Sequence, residues 1–186
     1  MKTEVTRGTL NGVNLDRMFE TMGVMKENPG LAAFNFRATN DWITGGNSRS
    51  SIQGFYGAGK EDDTRVAPFV LEADEPDVLL GTDKGPNPVE YVLHALAACI
   101  VTAVVLHATA LGLKITHMES KIDGDIDVRG LTGLSDLVRK GYEAIHLKIR
   151  YEGDVTPEQV REFITFSPVY DIVANPVPVS IDVQRG

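Results

Sequence analysis

The chain has 186 residues, 42% of them apolar, and a formal net charge of −8 at neutral pH. That length suits one well-cored domain with an extra arm, and the ordinary composition excludes disorder as the default state. The negative charge excludes general nucleic-acid binding, which needs basic patches to displace counterions. A single cysteine excludes an internal disulfide and fits a reducing compartment. "MKTEVTRGTLNG" has no apolar run that could serve as a signal peptide, so the expected location is the cytoplasm.

In chain order, "NLDRMFETMGVMKENPG" predicts a helix. Leu15, Met18, Phe19, Met22 and Met25 fall at helical spacing, and Pro29-Gly30 stops it. "AAFNFRATNDW" predicts a strand, and a Gly-bounded turn leads into a second from about Arg49 to Tyr56. "EDDTR" reads as a polar loop tip and "APFVLEAD" as a third strand. "EPDVLLGTDKGPNP" is a Pro/Gly-rich connection to a long apolar helix. Beyond that helix, Met118, Ser120, Ile122, Gly124, Ile126 and Val128 alternate with charged residues, as a sheet with one wet side requires. Ile145, Leu147, Ile149 and Tyr151 repeat the pattern. "TPEQVREFI" opens a helix with Thr156 as N-cap, Pro157 at its first position and Gln159 completing a capping box. "NPVPVSIDVQ" predicts a closing edge strand with Val177, Val179, Ile181 and Val183 on one face. No internal repeat or linker interrupts this order, and strand runs broken by helices predict an α+β fold.

The long apolar helix lies in "NPVEYVLHALAACIVTAVVLHATALGL", residues 87–113. Tyr91 to Leu113 is long and uncharged enough to span a membrane. His94, Thr102, His107 and Thr109 are scattered round it, which favours a helix buried on all sides in a soluble domain, with no membrane partner. Full burial needs cover on every face. Ala95, Ala97, Ala98 and Ala103 permit close helix approach, so an intertwined homodimer with two such helices at its centre is expected.

Cys99 sits in this helix among Ala97, Ala98 and Ile100, and the pattern alone fits a small buried hydrophobe. It is about three turns into the helix, beyond the field of the N-terminus, so a thiolate there needs a cation from elsewhere. His94 is about 140° round the helix from it, a poor placement for a general base. The four histidines have no metal-ligand spacing, so neither metal nor cofactor is expected. Ser167 lacks the surroundings of a hydrolase nucleophile and suits a helix cap before Pro168.

"NPVEYVLHALAAC" resembles the active-site segment of the OsmC/Ohr family, osmotically induced protein C and organic hydroperoxide resistance protein. That segment has an Asn-Pro-Glu start and a Cys twelve residues after the Asn, the spacing of Asn87 and Cys99. "GGNSRSSI" is similar to the family's Gly-rich turn, whose Arg stabilises the thiolate, which makes Arg49 the counterpart. "SPV" at 167–169 resembles the family's Cys-Pro-Val segment, with Ser167 in place of the second Cys and Tyr170 beside it. The resemblance implies antiparallel sheets wrapped around a long buried central helix in an intertwined homodimer. It implies a domain over residues 34–186, with residues 1–33 an N-terminal extension carrying a helix.

The activity it implies is thiol-dependent, peroxiredoxin-like reduction of organic hydroperoxides in a stress response, with Cys99 and Arg49 as catalytic residues. Ser167 and Tyr170 would line the pocket. Two departures stand out. With no second Cys, turnover would need an external thiol reductant. Val89 replaces the family's first Glu, and Glu90, half a turn out of phase with Cys99, points away, so the carboxylate that would orient Arg49 is not evident. The alternative is a non-enzymatic binder of a small hydrophobic ligand in the dimer pocket, with Cys99 as lining.

Overall fold

Two compact units make up the chain, one of Asn14–Val92 and one of Leu93–Gly186 joined by Leu10–Val13. The computed structural model describes residues 8–186. The signal-peptide reading therefore falls partly on residues 1–7, outside the described residues. A two-residue ribbon, β1 (Thr9–Leu10) and β2 (Val13–Asn14), precedes the expected first helix, α1 (Leu15–Glu27). The Asn14 side chain caps α1 by accepting from the Arg17 N–H at 2.8 Å. A 3-10 turn over Pro29–Ala32 follows it.

The two strands predicted next are each divided. "AAFNFRATNDW" holds β3 (Asn35–Phe36) and β4 (Thr39–Thr44), and residues 47–57 hold β5 (Asn47–Ile52) and β6 (Phe55–Gly57). Each interruption moves the chain between two antiparallel sheets. One has the order β3-β6-β7, with β7 at Lys60–Asp62 where a loop tip was expected. The other has the order β4-β5-β8, with β8 at Phe69–Ala73 as predicted. The second break has a visible cause. Arg65 donates to the Gln53 carbonyl at 2.9 Å and the Gln53 amide donates to the Arg65 carbonyl at 2.9 Å. The Gln53 backbone oxygen is thus satisfied outside any ladder.

After β8, a buried carboxylate organises the connection. Asp74, 1% exposed, accepts from the Glu75 N–H at 2.8 Å, the Thr82 N–H at 3.1 Å, the Thr82 hydroxyl at 2.6 Å and the Lys84 N–H at 3.2 Å. The loop closes so tightly that a Cβ at Gly81 would lie 1.7 Å from the Glu75 carbonyl oxygen. The Thr82 hydroxyl is the largest cause holding the Asp74 carboxyl below its ordinary value of 3.8. Asp74→Ala leaves four donors without their acceptor and is expected to lower Tm by roughly 5–10 °C. Because its folded pKa is depressed, the stabilisation from Asp74 is complete at neutral pH and is lost as pH falls below about 3.8. Thermal melts of both proteins at pH 7 and pH 3 check this: the Tm gap narrows at pH 3.

The long helix, α2 (Pro88–Ala110), begins in the first unit and continues into the second. Leu96, Ile100, Val104 and Ala108, spaced four apart, form one buried ridge. Against it pack Met118 and Ile122 of β9 (Ile115–Asp125) and Ile145, Leu147 and Ile149 of β10 (Ala144–Gly153), an antiparallel ribbon. Val160 and Phe163 of α4 (Pro157–Ile164) complete this core, and the predicted Thr156–Gln159 capping box is present. β9 stops at Asp125, short of Ile126 and Val128. Asp127 pairs there with Arg129 at the start of a short helix, α3 (Arg129–Thr132), which the alternation did not predict. α5 (Pro168–Ala174) follows α4.

Within one chain α2 is covered on one side only: Val92, Ala95, Ala98, Thr102 and Leu106 are exposed, the stripe for which a second copy was expected. One expectation is corrected. Residues 176–186 form no strand, and Val179, Ile181 and Val183 are 77%, 80% and 85% exposed. Both segments are apolar without cover from their own chain. The architecture is mixed α+β, with antiparallel sheets and a long central helix.

Candidate active site

Cys99 is a free thiol, half-buried, on α2. At 100° per residue, Val92, Ala95 and Leu106 lie within about 40° of it on the exposed side, and Leu96 about 60° away on the buried side. The thiol therefore sits on the border between the core ridge and the uncovered stripe. Its access depends on what covers that stripe. His94 lies on an exposed part of the helix. His107 stacks on Phe163 and Phe166 with centroid distances of 5.6 and 4.1 Å, a packed histidine at the α2–α4 contact.

Arg49 belongs to the other unit, on β5. The β5–β8 register sets it directly opposite Glu72. Its Nε donates to Glu72 Oε1 at 2.5 Å, and Asn47 Nδ2 donates to Glu72 Oε2 at 3.4 Å. The Tyr91 hydroxyl donates to the Glu72 carbonyl at 2.6 Å. The Arg49 hydrogen bond is the largest cause lowering the Glu72 carboxyl below its ordinary 4.5. Arg49 thus has an orienting carboxylate, and Glu72 supplies it rather than a residue of the "NPVE" segment. Reading the sequence missed Glu72. Its one signal was an acid inside the apolar run "FVLEA", and only the cross-strand register reveals what that acid faces.

Glu90 is occupied at the start of α2. Its Oε2 accepts from the Asn87 N–H at 2.8 Å, while Asn87 Oδ1 accepts from the Val89 N–H at 3.0 Å. This is reciprocal capping, and it also places a negative charge at the positive end of the helix. Asn87 is held in turn by a hydrogen bond to Glu75. Ser167 is 1% exposed and caps α5, its Oγ accepting from the Tyr170 N–H at 3.2 Å. Ser167 and Tyr170 are therefore joined through the first turn of α5, whereas Cys99 and Arg49 are built on separate elements of separate units.

A family model described as OsmC-like protein matches residues 81–182. Among solved structures, the chain is similar to an OsmC-like protein from Mycoplasma pneumoniae, at 18% identity and a TM-score of 0.54 over 76% of this chain and 89% of that one. It is also similar to a protein from Psychrobacter arcticus 273-4 described as osmotic-stress-induced and of the detoxification response. There the identity is 12% and the TM-score 0.52, over 71% of this chain and 83% of that one. At these identities the likeness is one of fold. No curated protein matches the chain.

Proposed function

Because the chain belongs to the OsmC-like protein family, we propose that it is a thiol-dependent organic hydroperoxide reductase, working as a homodimer with one cysteine per chain and an external thiol. The observation that carries this reading is Arg49 held by Glu72 while Cys99 remains a free, half-buried thiol. The Cys99 thiolate attacks one peroxide oxygen and the O–O bond breaks. The departing alkoxide takes a proton to become an alcohol, and Cys99 becomes a sulfenic acid. One external thiol condenses with it, releasing water and leaving a mixed disulfide. A second attacks that disulfide and restores Cys99. Arg49 favours the thiolate and polarises the peroxide. Ser167, a buried helix cap, has no thiol to offer, so the second half of the cycle is bimolecular. The protein is expected to consume cumene hydroperoxide when supplied with dithiothreitol. Consumption no faster than dithiothreitol alone would overturn the proposal.

The homodimer reading rests on uncovered apolar surface in each unit. Trp42 and Phe69 of the β4-β5-β8 sheet are 74% and 61% exposed, the α2 stripe is open, and the C-terminal segment alternates without a ladder. Uncovered apolar surface of this kind marks an interaction face. A second copy that pairs residues 177–183 as a strand covers it, and the two prolines keep that strand at an edge. Sedimentation of the full chain is expected to give a dimer. Ile181→Asp weakens it at least about 100-fold, because a charge replaces a side chain whose burial contributes about 2 kcal/mol in each copy. A full-length monomer at micromolar concentration would contradict the reading. Cytoplasmic residence is part of the same proposal, since an external thiol pool keeps Cys99 reduced there.

A hydrophobic ligand held without chemistry is favoured by one observation: Ser167 is fully engaged as a cap, so no resolving thiol stands near α5. A chain that binds a fatty-acid probe yet leaves Cys99 reduced under hydroperoxide would establish that reading.

A further inference from the structure

The outward face of the β9–β10 ribbon carries one row that breaks its own pattern. Opposed residues along it are Glu152 and His117, Arg150 and Glu119, Lys148 and Lys121, and His146 and Asp123. Three of these four pairs set an acid against a basic side chain. Lys148 and Lys121 are like charges directly opposite each other, an arrangement that destabilises a sheet. Their neighbours neutralise only one of them. Glu119 reaches along its own strand to Lys121 at 3.8 Å, and among the described residues neither Lys148 nor Arg150 has an ion pair.

Glu119, Lys121, Lys148 and Arg150 together line a cavity of about 160 Å³. Three cations and one carboxylate give it a formal +2 on a chain whose net charge is −8. A second, wider depression shares Glu119 and Arg150 and is also lined by His117, Ile149 and Tyr151.

We propose that this cavity binds a small phosphate dianion, either inorganic or carried on a small soluble molecule whose remainder lies in the adjoining depression. Two lysines supply mobile point charges and Arg150 a planar fork of donors, which suits tetrahedral oxygens. The acids at both ends, Asp123 on one side and Glu152 on the other, confine the positive field to a single site. An extended polyanion would meet those acids, so the surface selects against nucleic acid and anionic membranes.

The test is inorganic phosphate titrated into the full chain at constant ionic strength, followed by backbone amide NMR. Saturable shifts centred on Lys121, Lys148 and Arg150 are expected. Lys148→Gln and Lys121→Gln each weaken binding at least fivefold, and Lys140→Gln, in the β9–β10 connection outside the cavity, leaves it unchanged. Non-saturating shifts spread over many surface cations, or binding insensitive to both substitutions, would overturn the proposal. Tighter binding of a DNA oligomer by the same residues would overturn the choice of a small dianion.

Discussion

Cys99→Ser is expected to lower kcat/KM for an organic hydroperoxide by at least about 1,000-fold while the protein remains folded. The size follows from the chemistry. The attacking group must be an anion whose oxidised form can later be reduced by a thiol, and a serine hydroxyl is neither ionised near neutral pH nor oxidisable in this way. The substitution changes one atom, sulfur to oxygen, on a residue at the border of the α2 ridge rather than within it. Little packing is lost, so a melting curve close to the parent's accompanies the loss of activity. Unchanged peroxide consumption in the variant would remove Cys99 from the reaction.

Under the proposed mechanism, Arg49→Ala is expected to slow Cys99 oxidation at neutral pH by about 10–100-fold and to move its pH profile upward, since it removes the cation proposed to favour the thiolate. Glu72→Gln has a smaller effect in the same direction, about three- to tenfold. It keeps the shape of the side chain and one acceptor oxygen but removes the charge that holds the guanidinium on the face of the β4-β5-β8 sheet. Both residues are partly exposed, 53% for Arg49 and 32% for Glu72, so their ion pair contributes little to stability and its value lies in orientation. Stopped-flow oxidation of the three proteins across pH checks this. A merely structural Glu72 would change Tm and leave the pH profile where it was.

What could be read from the residues follows from how local each signal is. The Thr156–Gln159 capping box, the Ser167 cap and the alternation in β9 and β10 depend on neighbours within a few positions, and each is found where the sequence places it. The Arg49–Glu72 pair depends on the register between strands 23 residues apart, which no local pattern encodes. The strand division at residues 53–54 depends on Arg65 reaching the Gln53 carbonyl from a loop twelve residues away. Period-2 alternation in 177–183 reports that one face wants cover. It does not say which strand provides the cover, and within one chain none does. The apolar surround of α2 carries the same lesson: its composition asks for cover on every face, while a single chain buries the Leu96–Ala108 ridge with Ala103 and Thr109 beside it.

The most direct test of the central claim is the state of Cys99 after one equivalent of hydroperoxide. Reduced protein is mixed with stoichiometric cumene hydroperoxide, quenched within seconds with a sulfenic-acid trap, and weighed intact. One trap adduct per chain, mapped to Cys99, is the predicted result. A chain still fully reduced after minutes would contradict it and leave a family member that has kept the fold without the chemistry.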